Sequence, residues 1–203
     1  MSKFEFFFAF YGLLLGLGVA ELLQGVGSVV RARRIRVVGA QTGLMALGLL
    51  VVMMLTWLDA WTSLKQVELN MGSLAGPVTV AVCYYLAAVV VFPRAIEEWE
   101  SLDAYYVERK RYAVGLMIIA EVLITFVIFQ DYWADQLRDN PSRFWQRSVP
   151  INAAILLTFG ILFFAKRRAV NIAAWIALIL LFTVPYWNFQ QPQQSETPVA
   201  AGS

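Results

Sequence analysis

The sequence predicts an all-α polytopic membrane protein, a six-helix transmembrane bundle with an amphipathic cytoplasmic helix between spans three and four. Three observations carry that prediction. Of the 203 residues, 60% are hydrophobic and 15% charged, whereas an ordinary soluble domain is about 25% charged. The mean hydropathy is +0.63. The charges fall in short clusters, and several stretches between them reach the roughly 20 apolar residues that a helix needs to cross a hydrocarbon layer about 30 Å thick.

The spans follow in order along one transmembrane domain, residues 1–189. Span one covers 4–30. Its arginines (Arg31, Arg33, Arg34, Arg36) follow it rather than precede it, and no small-residue cleavage site is evident, so it reads as a permanent helix and not as a signal peptide. Span two covers 37–61 and span three 74–92, with Pro77 tolerated in its first turn. Span four covers 112–133. Span five covers 149–165 and starts beside Pro150; span six covers 169–187 and ends near Pro185. Residues 190–203 are rich in Gln, Pro and Ser, the composition of a disordered tail.

Lysines and arginines orient the bundle, because cytoplasmic loops carry the excess of them. One alternating set of loops holds Arg31, Arg33, Arg34, Arg36, Arg94, Arg109, Lys110, Arg111, Lys166, Arg167 and Arg168, a total of 11. The other holds Lys3, Lys65, Arg138, Arg143 and Arg147, a total of 5. The first set is expected in the cytoplasm and both termini outside it. Aromatic residues at Trp57, Trp61, Tyr132, Trp133, Trp145, Tyr186 and Trp187 then mark the outer boundary.

Two connections are longer than turns. Between spans three and four, Ile96, Trp99, Leu102 and Tyr106 recur at helical spacing opposite Glu97, Glu98, Glu100, Asp103 and Glu108. A surface helix over 94–110 fits, or an extension of a neighbouring span. The outer connection, 131–148, mixes three aspartates with three arginines and reads as a partly ordered cap with mutually paired charges.

Several chemistries are excluded. There is no histidine, so imidazole metal sites and Ser-His or Cys-His nucleophile pairs are absent. The single cysteine, Cys83, lies in an apolar span and reads as a buried thiol. No phosphate loop or nucleophile elbow is present, and no cofactor is expected. The net charge of +2 is explained by topology and points to no nucleic acid. The bilayer is the expected partner, with a second copy or another membrane protein left open.

The pattern Gly-Leu-Gly-Val-Ala-Glu-Leu-Leu-Gln-Gly at 16–25 before a basic cluster, the tryptophan-rich stretch from Trp57 to Trp61, and Phe92-Pro93 followed by Tyr105-Tyr106-Val107-Glu108-Arg109-Lys110-Arg111-Tyr112 are distinctive. Over roughly the first 115 residues, the chain resembles a family of uncharacterised small bacterial multi-pass membrane proteins. Leu58-Asp59 stands where members carry a second aromatic. The resemblance implies a bacterial inner-membrane protein and no particular activity.

Two carboxyls fall within spans. Ten residues separate Glu21 from Arg31 and ten separate Arg111 from Glu121, which places both roughly 15 Å from the basic flank, near the bilayer midplane. A carboxyl there is costly and points to function. The two could face each other and share a proton or hold a cation. Alternatively each is protonated and bonded to a neighbouring helix, with Gln24, Gln41, Thr42, Thr125, Asn152 and Thr158 as candidate partners. Asp59, near the outer end of span two, ranks second. The similarity of Val19-Ala20-Glu21-Leu22-Leu23 to Ile119-Ala120-Glu121-Val122-Leu123 would make spans one to three and four to six inverted repeats. Gly12 with Gly16, and Gly39 with Gly43, offer close helix approach, and span one is expected to pack on both sides.

Two functional classes follow. One is a small transporter or channel for protons, ions or a small solute, using Glu21 and Glu121. The other is a non-transporting scaffold, subunit or sensor accessory in which the glutamates are packing elements. Carboxyls alone define no reaction, so an enzyme is not expected.

Overall fold

Long apolar runs leave the backbone one way to satisfy its N–H and C=O groups in hydrocarbon without a closed barrel, which is the helix. Every regular element among the described residues is helical. The computed structural model describes residues 3–32, 39–63 and 71–189, with side chains over 4–32, 39–61 and 74–184. The expectations for Arg33, Arg34, Arg36 and Lys65, for the side chains of Tyr186 and Trp187, and for the tail at 190–203 lie outside the described residues.

The elements are α1 (Lys3–Arg31), α2 (Ala40–Ser63), α3 (Met71–Val91), α4 (Leu102–Leu123), α5 (Gln130–Asp139), the single turn α6 (Pro141–Arg143), α7 (Val149–Phe164) and α8 (Arg168–Phe189). A π turn over Ile124–Ile128 extends α4, and another over Phe144–Ser148 leads into α7. Five stretches are long and apolar enough to cross a membrane: Phe4–Arg31, Ala40–Trp61, Leu74–Val91, Leu102–Ile128 and Pro141–Phe164. The apolar part of α8, Arg168–Val184, is shorter.

The segment between spans three and four is not the surface helix expected over 94–110; from Leu102 it is the other expectation, an extension of span four. Only Ile96–Glu98 forms a 3₁₀ turn, and Trp99 and Ser101 are extended. The Ser101 side chain accepts from the Ala104 N–H at 3.1 Å, an N-cap that starts α4 at Leu102 rather than at Tyr112. There is no separate helix over 94–110. The four apolar residues still turn inward: Ile96, Leu102 and Tyr106 are buried, and Trp99 meets the Tyr105 ring edge-on at 4.9 Å. The Tyr105 hydroxyl donates to the Val90 carbonyl at the end of α3. The connection over 131–148 is largely helical, so span five begins upstream of Val149.

Consecutive long helices run antiparallel. Each packs beside the next in a ring ordered α1, α3, α4, α7, α8, α2, and α2 also reaches across to α3 and α4. The small residues Ala81, Ala87 and Ala88 make α3 the most buried span. On α1, Gly25 lies under the Phe92 ring, where an added Cβ would sit 2.3 Å from Cδ2, and Gly18 meets Met53 and the Tyr85 backbone. The GxxxG expectation is met only in part. Gly12 faces Trp57 and Gly39 accommodates the Asp103 carboxyl, but Gly16 and Gly43 open outward with nothing against them. With α2 and α3 as its neighbours in the ring, α1 packs on one side and turns Leu13, Leu17 and Leu23 outward, as a lipid-facing surface requires.

The ring has two unlike ends. One carries Arg31, Arg94, Arg109, Arg111 and the basic run 166–168; the other carries the α5–α6 connection and its aromatic chain from Phe129 to Trp145.

Candidate functional site

At the end with α5, the helices enclose a cavity of about 620 Å³, within the range of small-molecule sites, about 300–1,000 Å³. Its polar wall comes from Tyr11 of α1, Asp59 of α2, Glu121 and Thr125 of α4 and its π turn, and Asn152 of α7. Phe129, Tyr132, Trp133 and Phe182 supply aromatic surface.

Glu121 is 5% exposed and lines this cavity. Its carboxyl makes no hydrogen bond to any described residue. Asp59, on the same wall, is within electrostatic reach of it. The π turn immediately follows: the Phe129 N–H bonds the Ile124 carbonyl five residues back, at 3.0 Å. The widened turn keeps Thr125 and Phe129 on the cavity face, and the Thr125 carbonyl takes the Trp133 indole N–H at 3.0 Å. Such turns recur at functional sites.

Several donors on the wall are already committed, while the hydroxyls of Tyr11, Thr125 and Tyr132 donate or accept. Trp133 has given its N–H to Thr125, and the Asn152 amide donates to the Ser148 carbonyl at 2.8 Å. Thr56 donates to the Val52 carbonyl at 2.8 Å. Among the described residues no lysine or arginine lines the wall. Their surface is oxygen-rich and aromatic.

Of the residues expected to carry function, the cavity collects Glu121, Thr125, Asn152 and Asp59. It does not collect Glu21, Gln24 or Gln41. Glu21 is half-buried on α1, Gln24 is exposed, and Gln41 is buried at the basic end with its Nε2 unpartnered. The facing pair of glutamates is thus not assembled at this site. Thr42 donates to the Leu102 carbonyl and Thr158 to that of Ala154. The repeat suggested around the two glutamates has no counterpart in packing, since α1 lies along α3 whereas α4 meets α8 through side chains.

Sequence reasoning missed a second polar cluster. Lys110, counted above as a solvated flanking charge, is 4% exposed. Its ammonium donates to the Ala165 carbonyl that ends α7 and to Asn171 Oδ1 at 2.8 Å. The Tyr106 hydroxyl also donates to Asn171 Oδ1, at 3.1 Å, and accepts from the Trp175 indole at 3.0 Å. Asn171 Nδ2 donates to the Arg167 and Ala165 carbonyls. A cation at a helix C-terminus is favourable, and the set ties α4, α7 and α8 together at the basic end. Gly48 of α2 leaves room for the Trp175 ring. Helical spacing was the available signal: Leu102, Tyr106, Lys110, Ala113 and Met117 form one buried stripe.

An arrangement tied together at one end, with a buried carboxyl on a cavity at the other, can receive a proton, a cation or a donor-bearing solute. No protein-family model matches the chain, and neither curated proteins nor solved structures provide a match to it.

Proposed function

We propose that this chain is a six-span carrier of the bacterial inner membrane, moving a small solute in exchange for a proton, with Glu121 as the residue that holds one or the other. In this reading α8 is the sixth span, the basic end faces the cytoplasm, both termini lie outside, and the cavity opens outward. The observation that carries the reading is the buried Glu121 carboxyl, without a hydrogen-bond partner among the described residues, on the wall of a ligand-sized cavity. A carboxyl in apolar surroundings is neutralised by whichever positive partner is at hand, and exchange of partners couples their movements. The Lys110–Asn171–Tyr106–Trp175 cluster supports the outward-open assignment by holding the opposite end together. In a scaffold, by contrast, the buried acid would be expected to hydrogen-bond a neighbouring helix, as Asn171 and Lys110 do.

Proteoliposomes containing a pH-sensitive dye test the proposal. A panel of sodium, an organic ammonium, a neutral solute and an organic anion is added outside. At least one should drive proton exit through the wild-type chain and not through Glu121→Gln. Equal proton movement in both proteins, or none in either, rejects it. Cysteine labelling at Ala104 from the cytoplasm and at Gln146 from outside tests the orientation; the reverse pattern rejects that part.

A further inference from the structure

We infer that the solute is an organic ammonium, a single amine cation on an apolar or aromatic body; this rests on the carrier reading above. Charge sign comes first. The wall offers the carboxyl of Glu121, and no lysine or arginine is among the described residues that line it. An anion would meet that acid with no described cation beside it, which costs affinity.

Hydrogen-bond polarity agrees. The indole of Trp133 and the amide of Asn152 are committed to the Thr125 and Ser148 carbonyls. Glu121 and the Asn152 side-chain oxygen remain as acceptors, beside the hydroxyls of Tyr11, Thr125 and Tyr132, which both donate and accept. An ammonium brings donors and a positive charge, so it complements the Glu121 carboxyl, whose charge a neutral solute leaves uncompensated.

Size and surface separate an organic cation from a bare metal ion. Sodium-like or divalent ions need several oxygens close around a small centre. Among the described residues no group of three His, Cys, Asp or Glu side chains is placed to hold a metal ion. A cavity of about 620 Å³ whose walls include Phe129, Tyr132, Trp133 and Phe182 leaves a bare ion mostly against hydrocarbon. The same rings suit an aryl or alkyl body, and their faces attract a cation.

The test uses three probes with one phenyl ring each, titrated by calorimetry into the purified full chain in nanodiscs: 2-phenylethylamine, 2-phenylethanol and phenylacetate. Sodium chloride is a fourth arm. The amine should bind at least about tenfold more tightly than the alcohol, phenylacetate should not bind, and Glu121→Gln should weaken the amine by about 10- to 100-fold. Should that variant fail to fold, the selectivity of the wild-type chain decides alone. Equal binding of amine and alcohol overturns the inference and leaves a carrier of neutral solutes. Sodium-driven proton exchange without amine binding overturns it and leaves an ion carrier. Absence of binding together with absence of proton exchange overturns both readings.

Discussion

Lys110 and Glu121 stand on the same helix, about three turns apart, and both are buried, yet their surroundings are opposite. Lys110 meets a helix-end carbonyl and the Asn171 side chain, and that side chain in turn bonds Tyr106. Each member of that group bonds another member or a backbone carbonyl. Glu121 faces a cavity with no hydrogen-bond partner among the described residues. A buried charge that is fully bonded stabilises one arrangement of helices. A buried acid left without such bonds costs stability and is retained where it acts on something that arrives. The comparison therefore sets a hydrogen-bonded cluster against an acid on a cavity wall along one helix face.

Mutations at the Lys110 end should have the largest effect on stability. Asn171→Leu leaves the ammonium buried with one fewer acceptor and strips Tyr106 of its own, so it should cost roughly 2–4 kcal/mol. Lys110→Met removes the charge as well, and both acceptors keep another donor: Asn171 Oδ1 keeps Tyr106, and the Ala165 carbonyl keeps Asn171 Nδ2. It should cost less, about 1–2 kcal/mol. Unfolding in mixed micelles measures both. A Lys110→Met variant less stable than Asn171→Leu would show that the charge itself, and not its partners, holds this end.

The glycines of α1 give smaller and opposite effects. Gly25→Ala drives a methyl into the Phe92 ring, including its Cβ, and should destabilise by about 1–3 kcal/mol. Gly16→Ala meets open space and should stabilise by about 0.5–1 kcal/mol, because alanine is the better helix former. The same unfolding assay checks both, and equal losses would mean that α1 packs on two sides after all.

Much of the fold was legible. Charge-free runs located the long helices, and basic residues paired their ends, because both signals follow from the cost of charge in hydrocarbon. The start of α4 was not legible from hydropathy, since Glu108 to Arg111 look like a loop until Ser101 is recognised as a cap and the Leu102–Tyr106–Lys110 stripe is followed through them. Depth singles out Glu121, and side-chain chemistry Thr125 and Asn152 together with Gln24 and Gln41, of which the cavity wall includes the first three only. Depth carries no information on which helices are neighbours, so it leaves open whether Glu21 meets Glu121, and Glu21 lies outside the cavity wall. Tyr11 and the aromatic wall were invisible for the same reason, as their apolar spacing matches any packed face.

The most direct test of the account is to measure, on one preparation of Glu121→Gln, both its unfolding free energy and its solute-driven proton movement per folded molecule. The expected result is stability within about 0.5 kcal/mol of wild type, since the substitution removes no hydrogen bond to a described residue, together with loss of the movement. A variant that is destabilised by roughly 2 kcal/mol or more while its remaining folded molecules still exchange protons would make Glu121 a packing residue and contradict the central claim.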